Sequence, residues 1–177
     1  GMVTTDAMLE YARPFGAEVA LCNGGALRAA LPAGKITRGD VLSVHPFGNA
    51  VLVRTYSGQE LIDALEHGVA GEAAAGPRLL QVSGLRYEVD GIRPAGERVL
   101  HAEIIDGNGR SRPLDPAASY TVTLSDYLAG GGDGYAMLKD GRSVPAPDPL
   151  VLDVVTDYLR AHDPLSAPLP GRIVRVR

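Results

Sequence analysis

The stretch LLQVSGLRYEV, residues 79–89, marks the point from which the sequence becomes predominantly strand-like. Both halves of this stretch are rich in branched and aromatic side chains, which favour strands. Two further strands are predicted over residues 98–105 and 120–124, and turn-forming pairs such as Asp90–Gly91 lie between the strands. The sequence therefore predicts a β-meander in the middle of the chain.

The residues before this stretch alternate between helical and strand patterns. Apolar side chains recur every three or four positions across residues 5–15, which predicts one buried face of a helix. Residues 18–22 and 50–56 have the apolar character of buried strands. Ser57 and Glu60 match a capping box, in which each side chain satisfies the backbone N–H of the other, and they predict the start of another helix.

Two more helix starts and a last strand complete the prediction of the elements. Residues 37–40 predict the start of a short helix, and Asp148 followed by Pro149 predicts the start of a longer one over residues 150–161. Residues 172–177 predict a final strand. A domain with helices first, strands in the middle, and a helix and a strand last belongs to the mixed α/β, or α+β, class.

The bulk composition suits a single domain. With 177 residues, of which 45% are hydrophobic, the chain is long enough to bury a sizeable core. The net charge of −4 and the lack of any basic run argue against nucleic acid as a partner. No apolar stretch approaches the roughly 18 residues of a membrane span. The single cysteine, Cys22, excludes an internal disulfide framework.

The start of the chain bears on its domain organisation. Gly1–Met2 has the pattern of an expression-tag remnant, so we expect the domain to span residues 3–177. The following residues enter a helical pattern directly, without a signal peptide or leader. This start fits a domain taken from a longer protein and fits a small cytosolic protein equally well.

A hydrolase needs metal ligands or a nucleophile, and the sequence shows no motif for either. The histidines at positions 45, 67, 101 and 162 are scattered without zinc-binding spacing, and we expect them at the surface or as supporting groups. No serine lies in a G-x-S-x-G motif. Cys22 lies in an apolar segment and is expected to be an inert buried thiol. The segment that begins at Asp106 is better explained as a hairpin turn than as a calcium loop. We therefore predict no catalytic residue and no metal site in this chain.

The first of three loop clusters suited to a ligand is NGGALR, residues 23–28. Gly24 and Gly25 would let the backbone approach a ligand closely, and their amides could face an anion. Arg28 supplies a planar, permanently charged group suited to phosphate. The alternative is an ordinary strand-to-helix turn with a surface arginine.

The second cluster, HPFGN at residues 45–49, places Phe47 in a proline–glycine turn. The Phe47 ring could plug the core, which is the commoner use of phenylalanine, or form an exposed plate on which a base stacks. Asn49 offers both a donor and an acceptor to the edge of a base.

The third cluster, DYLAGGGDGY at residues 126–135, contains four glycines within five residues. Such a loop costs much conformational entropy to order, and a bound ligand explains that cost more easily than packing does. Asp133 could accept hydrogen bonds from a vicinal diol such as that of ribose. Tyr127 could supply a second aromatic face. The alternative is a flexible surface loop.

Taken together and in this order, these clusters resemble the C-terminal domain of the 5′-nucleotidase family, which includes UDP-sugar hydrolases and ecto-5′-nucleotidases. Each motif alone is weak, but the ordered set extends over nearly the whole chain and is specific. The matching stretches are TDAM (5–8), NGGALR (23–28), ITRGDV (36–41), PFGN (46–49), GQEL (58–61), ALE (64–66), QVSGL (81–85) and DYLAGGGDGY (126–135).

The resemblance implies a fold of layered sheets flanked by helices, together with a nucleotide-binding role. Phe47 and Tyr127 would hold the nucleobase between them, and Asp133 would bind the ribose hydroxyls. The family usually has phenylalanine at both aromatic positions. Tyr127 keeps the ring face and adds a hydroxyl, so stacking is expected to survive this departure.

The resemblance also implies contacts to the rest of the nucleotide. Arg28 would bind the phosphate beside the scissile bond, and Asn23 and Asn49 would contact the nucleoside. The glycine triplet of the family is reduced here because Ala26 takes the third place. This departure is expected to narrow the approach of the ligand slightly.

The resemblance further implies a catalytic partner. In the family, an N-terminal metallophosphoesterase domain performs hydrolysis with two divalent metals on Asp, His and Asn ligands. None of those motifs occurs in this sequence, so the chain alone is expected to bind a nucleoside 5′-phosphate or related nucleotide weakly and to hydrolyse nothing. The family also implies a periplasmic or extracellular location. The alternative is a stand-alone, non-catalytic nucleoside-binding module, and an upstream metallophosphoesterase segment would decide in favour of the enzyme.

Overall fold

A computed structural model of the chain describes residues 1–71, 76–168 and 170–176. The helices are α1 (Met2–Ala12), α2 (Arg38–Val44), α3 (Gly58–Val69), α4 (Asp126–Ala129) and α5 (Val151–Ala161). The strands are β1 (Val19–Asn23), β2 (Val51–Ser57), β3 (Leu80–Ser83), β4 (Leu85–Val89), β5 (Val99–Ile105), β6 (Ser111–Pro113), β7 (Ser119–Ser125), β8 (Arg142–Ser143) and β9 (Ile173–Arg175). Single 3-10 turns cover Arg13–Phe15, Gly24–Ala26, Gly132–Gly134 and Ala136–Leu138.

The strands form two sheets rather than one meander. The first sheet has five strands in the order β3-β1-β7-β2-β8, with β1 and β7 parallel and the other neighbours antiparallel. The second sheet has four strands in the order β6-β5-β4-β9, with β4 and β9 parallel. The predicted meander is therefore correct for the pairing of β4 with β5 and wrong for β3 and β7, which pair with β1 instead, and the sequence did not predict β6.

Gly84 lies where the chain leaves the first sheet for the second. It separates β3 from β4 and has a φ of +70°, a left-handed conformation that glycine adopts without strain. A Cβ atom at this position would lie 1.9 Å from the backbone oxygen of Glu18. Position 84 therefore requires glycine for its conformation and also for the space around it.

The five-stranded sheet is the middle layer of the domain. Ala20 of β1 points into a core that α1 and α5 cover, whereas its neighbours Val19 and Leu21 point into a second core. That second core includes residues of α3 and of the four-stranded sheet, such as Leu61 and Tyr87. These layers confirm the predicted mixed α/β fold of sheets flanked by helices.

Two helix starts agree with the sequence and one does not. A capping box at Thr37 opens α2, and the predicted box of Ser57 and Glu60 opens α3. The start predicted at Asp148 is wrong, because α5 has Leu150 at its N-cap without a side-chain cap. The chain before α5 is instead held by pairing with the segment at the start of β2.

Helix α1 begins earlier than the sequence predicts, at Met2, and its residue Asp6 anchors the end of the chain. The Asp6 carboxylate accepts a hydrogen bond from Ser83 Oγ at 2.6 Å. The same carboxylate pairs with the two terminal nitrogens of Arg172 at 2.8 Å and 2.9 Å. Strand β9 follows directly, and Arg177, the last residue of the predicted strand, lies outside the described residues.

The topology brings three loops to one edge of the five-stranded sheet. Because β1 and β7 run parallel, the loops that follow Asn23 and Ser125 leave the sheet at the same edge. Strand β2 runs antiparallel to β7 with Val51 opposite Ser125, so the segment before β2 lies at this edge as well. The three loop clusters predicted to bind a ligand therefore meet in the fold.

Candidate functional site

A cleft of about 350 Å³ opens where the three loops meet. Residues of all three clusters contribute to its walls. They are Asn23, Gly25, Ala26, Arg28, Phe47, Asn49, Pro77, Tyr127 and Asp133. Gly24 lines an adjoining cavity of about 260 Å³, which shares Gly25 and Arg28 with the cleft. The fold thus gathers the predicted binding residues in one place.

Two aromatic rings of the cleft are exposed. Phe47 is 48% exposed and Tyr127 is 45% exposed. Tyr56, Tyr87 and Tyr120, in contrast, are buried in the core. Of the two alternatives for Phe47, the core plug is therefore wrong. Exposed rings of this kind offer a face on which a planar ligand can stack.

Asp133 is distinguished by its backbone conformation. Its φ of 54° is left-handed, which is uncommon and unfavourable for a residue other than glycine. Its carboxylate accepts hydrogen bonds from Asn23 Nδ2 at 2.6 Å and from the Tyr127 hydroxyl at 2.7 Å. His67 Nε2 lies 2.9 Å from its backbone oxygen. Side chains from β1, α4 and α3 therefore hold this residue in place.

The glycines around Asp133 have left-handed backbones or lie close to a neighbouring side chain. Gly131 and Gly134 have φ values of 82° and 87°. A Cβ atom on Gly132 would lie 2.4 Å from a ring carbon of Tyr127. The loop thus lies directly against the Tyr127 ring, and backbone conformation and close packing both favour glycine at these three positions.

The two asparagines of the cleft are oriented by carboxylates. Asn49 Nδ2 donates to Asp126 Oδ1 at 2.8 Å, just as Asn23 Nδ2 donates to Asp133. In the part of the chain that the structure describes, nothing donates to the buried Oδ1 of Asn23. A buried acceptor without a donor is unfavourable, and a bound water or ligand is one way to satisfy it.

Arg28 lies exposed at the border between the cleft and the adjoining cavity. Its backbone N–H donates to the Val44 carbonyl at 3.0 Å, which ties the loop to the end of α2. Its guanidinium makes a long contact of 3.5 Å with the carbonyl of Gly25. Among the described residues no carboxylate lies within ion-pair distance of the Arg28 guanidinium.

The backbone amides of Gly24 and Gly25 are already used inside the protein. They donate to the carbonyl oxygens of Leu79 at 2.9 Å and Pro77 at 2.7 Å. The expectation that these amides face an anion is therefore wrong. Glycine is favoured here by close backbone approach, because a Cβ atom on Gly24 would lie 3.0 Å from the Gly76 oxygen.

His45 and Cys22 line a small cavity of about 20 Å³ next to Phe47. His45 is buried, which excludes the surface position among the two alternatives expected for it, and its Nε2 lies 3.1 Å from Thr4 Oγ1. Burial, and to a lesser extent the N-terminal ammonium, lowers the pKa of His45 from 6.5 to about 4. Burial raises the pKa of the Cys22 thiol to about 12, in agreement with the expected inert cysteine.

The buried His45 is expected to make the folded chain less stable in acid. In the unfolded chain it titrates near its ordinary pKa of 6.5, but in the folded chain only near 4. As the pH falls between these values the unfolded chain takes up the proton first, so the free energy of unfolding falls by up to about 3 kcal/mol. Urea denaturation at about pH 7 and about pH 4.5 measures this loss. The variant His45→Gln does not titrate and is expected to lose less stability, and an equal loss in both chains would contradict the prediction.

His67 is a site residue that the sequence did not identify. It lies in the last turn of α3 and packs edge-on against the Tyr135 ring, with 4.7 Å between the ring centroids. The Tyr135 hydroxyl in turn donates to the Arg78 carbonyl. These contacts hold His67 next to Asp133, and they join residues far apart in the sequence.

The cleft presents ring faces, hydrogen-bonding groups and charged groups from all three loops. Within residues 1–71, 76–168 and 170–176, no group of three or more His, Cys, Asp or Glu could hold a metal ion. No helix in the described ranges has the length and apolar character to cross a membrane. The cleft offers two aromatic faces, a carboxylate, two amides and a guanidinium, and we assign no hydrolytic step to them.

The sequence of the chain is similar to one family model and to several known proteins. The family described as 5′-nucleotidase, C-terminal domain, matches residues 1–140. The chain is 32% identical over 178 residues to the trifunctional nucleotide phosphoesterase protein YfkN of Bacillus subtilis (strain 168), covering 99% of this chain and 12% of that protein. It is 32% identical over 165 residues to a snake venom 5′-nucleotidase of Gloydius brevicauda, covering 88% of this chain and 28% of that protein.

A solved structure extends the likeness to the fold. The crystal structure of a 5′-nucleotidase precursor from Thermus thermophilus matches with a TM-score of 0.93 and 41% identity, covering 99% of this chain and 35% of that chain. The chain thus spans well under half the length of each of these relatives.

Proposed function

Because this chain belongs to the 5′-nucleotidase C-terminal domain family, we propose that it binds a nucleotide for hydrolysis by a longer protein. The similar proteins include a nucleotide phosphoesterase, apyrases and 5′-nucleotidases. The proposed substrate is a nucleoside 5′-phosphate or a related nucleotide.

The observation that carries this proposal is that two exposed aromatic rings and an aspartate line one cleft. A nucleobase held between Phe47 and Tyr127 would gain roughly 1–3 kcal/mol from stacking. The ribose hydroxyls would donate to the carboxylate of Asp133. An ionised carboxylate has no hydrogen-bond donor of its own and only accepts. Asn23 and Asn49 supply amide groups for further contacts to the nucleoside.

We place the phosphate at Arg28. A guanidinium presents a planar fork that matches two phosphate oxygens. In the described part of the chain, no carboxylate competes for the guanidinium of Arg28. Arg28 lines both the cleft and the adjoining cavity, so a phosphate there would lie at the border between them. Gly24 and Gly25 would shape this border through close approach rather than donate to the phosphate.

Hydrolysis is proposed to take place at two divalent metals in an N-terminal metallophosphoesterase domain of the same polypeptide. Such metals activate a nucleophile and stabilise charge on the phosphate. The described residues of this chain include no group able to hold these metals. The proposed role of the chain is to bind and orient the nucleotide. The location proposed is periplasmic or extracellular, which the venom origin of one relative supports.

Saturation-transfer NMR with adenosine, uridine and ribose tests nucleoside binding by the chain. The base protons of both nucleosides are expected to saturate, because stacking recognises a ring face and tolerates many bases. Ribose alone is expected to give a weaker effect, since it lacks the base. The absence of any base signal at millimolar ligand would contradict the proposal.

A further inference from the structure

We propose that the Tyr127 hydroxyl is a positioning group that sets the preference of the cleft for a sugar with two adjacent hydroxyls. The inference rests on the proposed function, in which Tyr127 stacks on the base and Asp133 binds the ribose. It adds a link between these two contacts, namely the hydrogen bonds between the Tyr127 hydroxyl and Asp133. Phenylalanine at position 127 would offer the same ring face without that link.

The Tyr127 hydroxyl directs both its donor and its acceptor capacity to Asp133. It donates to the carboxylate Oδ1 at 2.7 Å and accepts from the backbone N–H at 3.2 Å. The hydrogen bond to the carboxylate raises the pKa of Tyr127, so the hydroxyl remains a protonated donor at neutral pH. The hydroxyl therefore donates its one proton to the neighbouring aspartate and has none to donate to the base.

Asp133 depends on such links because its backbone conformation is unfavourable. A left-handed φ of 54° at a residue with a side chain persists only where the surrounding contacts over-determine it. Asn23 holds Oδ2 at 2.6 Å and His67 holds the backbone oxygen at 2.9 Å. Tyr127 supplies the remaining two contacts, at Oδ1 and at the backbone N–H.

The carboxylate that is held in this way keeps capacity for a ligand. A carboxylate oxygen accepts about two hydrogen bonds, whereas Oδ1 and Oδ2 of Asp133 each have one side-chain donor among the residues that the structure describes. Two adjacent sugar hydroxyls would each donate to one of these oxygens. Both bonds form together only if the carboxylate keeps its orientation, so the Tyr127 hydroxyl controls recognition of the diol without touching it.

The affinities of the chain for adenosine and for 2′,3′-dideoxyadenosine, measured by NMR titration, test this inference. Their ratio reports the contribution of the diol, because the two ligands share one base. The wild-type chain is expected to bind adenosine more tightly. In Tyr127→Phe, which keeps the ring, the ratio is expected to fall by about fivefold. Without ligand, the amide proton of Asp133 is expected to exchange with solvent faster in this variant than in wild type.

Phe47→Ala is the matched control, because it removes a stacking face and no hydrogen bond to Asp133. It is expected to lower the affinities for both ligands by a similar factor, so that the ratio of the two affinities stays at the wild-type value. An unchanged affinity ratio in Tyr127→Phe would overturn the inference, and so would equal affinities of wild type for both ligands. Neither result would contradict the proposal that the base stacks on the two rings. If the wild-type chain binds neither ligand, the proposed function fails, and the inference fails with it.

Discussion

Replacement of both Phe47 and Tyr127 by alanine is expected to weaken adenosine binding by about thirtyfold or more. Stacking on each ring is expected to contribute about 1 kcal/mol or more, and about 2 kcal/mol in total corresponds to that factor. Both side chains are about half exposed, but the double variant also loses the two hydrogen bonds between the Tyr127 hydroxyl and Asp133, so a moderate fall in the free energy of unfolding is expected as well. An NMR or calorimetric titration with adenosine measures the loss.

Ile92→Ala provides a control for this double variant. Ile92 is 73% exposed and lies between β4 and β5, outside the cleft. Its replacement also removes exposed apolar surface, but we expect adenosine affinity to stay at the wild-type value. If the double variant kept that affinity as well, the two rings would not be the base-binding faces.

Replacement of Gly84 by alanine is expected to lower the free energy of unfolding by about 4 kcal/mol. Part of the loss comes from forcing a residue with a side chain into the left-handed conformation at φ +70°. The rest comes from a Cβ atom that would lie 1.9 Å from the Glu18 oxygen and 3.1 Å from Leu9 Cδ2. Relief of that overlap requires backbone movement where the chain passes between the sheets. Urea denaturation of the variant and wild type measures the loss.

Gly16→Ala separates the two causes. Gly16 has a φ of +85°, but a Cβ atom there would meet nothing within 4 Å. Alanine at position 16 therefore carries the conformational cost alone, and we expect a loss of about 1–2 kcal/mol. Equal losses at positions 16 and 84 would show that the close approach to Glu18 is unimportant.

Contacts between near neighbours explain the parts of the fold that the sequence predicted well. The capping box at the start of α3 joins Ser57 and Glu60, which are three positions apart, so its spacing is visible in the sequence. The hairpin turn at Asp106 is similar, because its side chain accepts hydrogen bonds from the amides of Asn108 and Arg110. In both cases the stabilising partner lies within one turn of the chain.

Strand pairing depends on distant contacts and could not be predicted in the same way. Strands β3 and β4 are separated by Gly84 alone, yet they belong to different sheets. The composition of each segment indicates a strand but does not indicate its partner. The partner of β3 is β1, about 60 residues earlier in the chain. A meander of sequential neighbours was therefore the natural prediction, and it failed at this point.

The candidate site was predicted as a set of residues but not as a geometry. The ordered motifs identified the three loops, whereas their meeting depends on β1 and β7 being parallel. No spacing in the sequence indicates that the backbone of Asp133 is left-handed or that His67 contacts its backbone oxygen. The amides of Gly24 and Gly25 were misassigned for a related reason, because the carbonyls they reach lie far away in the sequence.

Intermolecular NOEs between adenosine and the 177-residue chain test the central claim most directly. If the cleft binds the nucleoside as proposed, the base protons show NOEs to ring protons of both Phe47 and Tyr127. The ribose protons then show NOEs to the loop that carries Asp133. Base NOEs to neither ring, or NOEs confined to residues outside the cleft, would contradict the claim that these two rings bind the base.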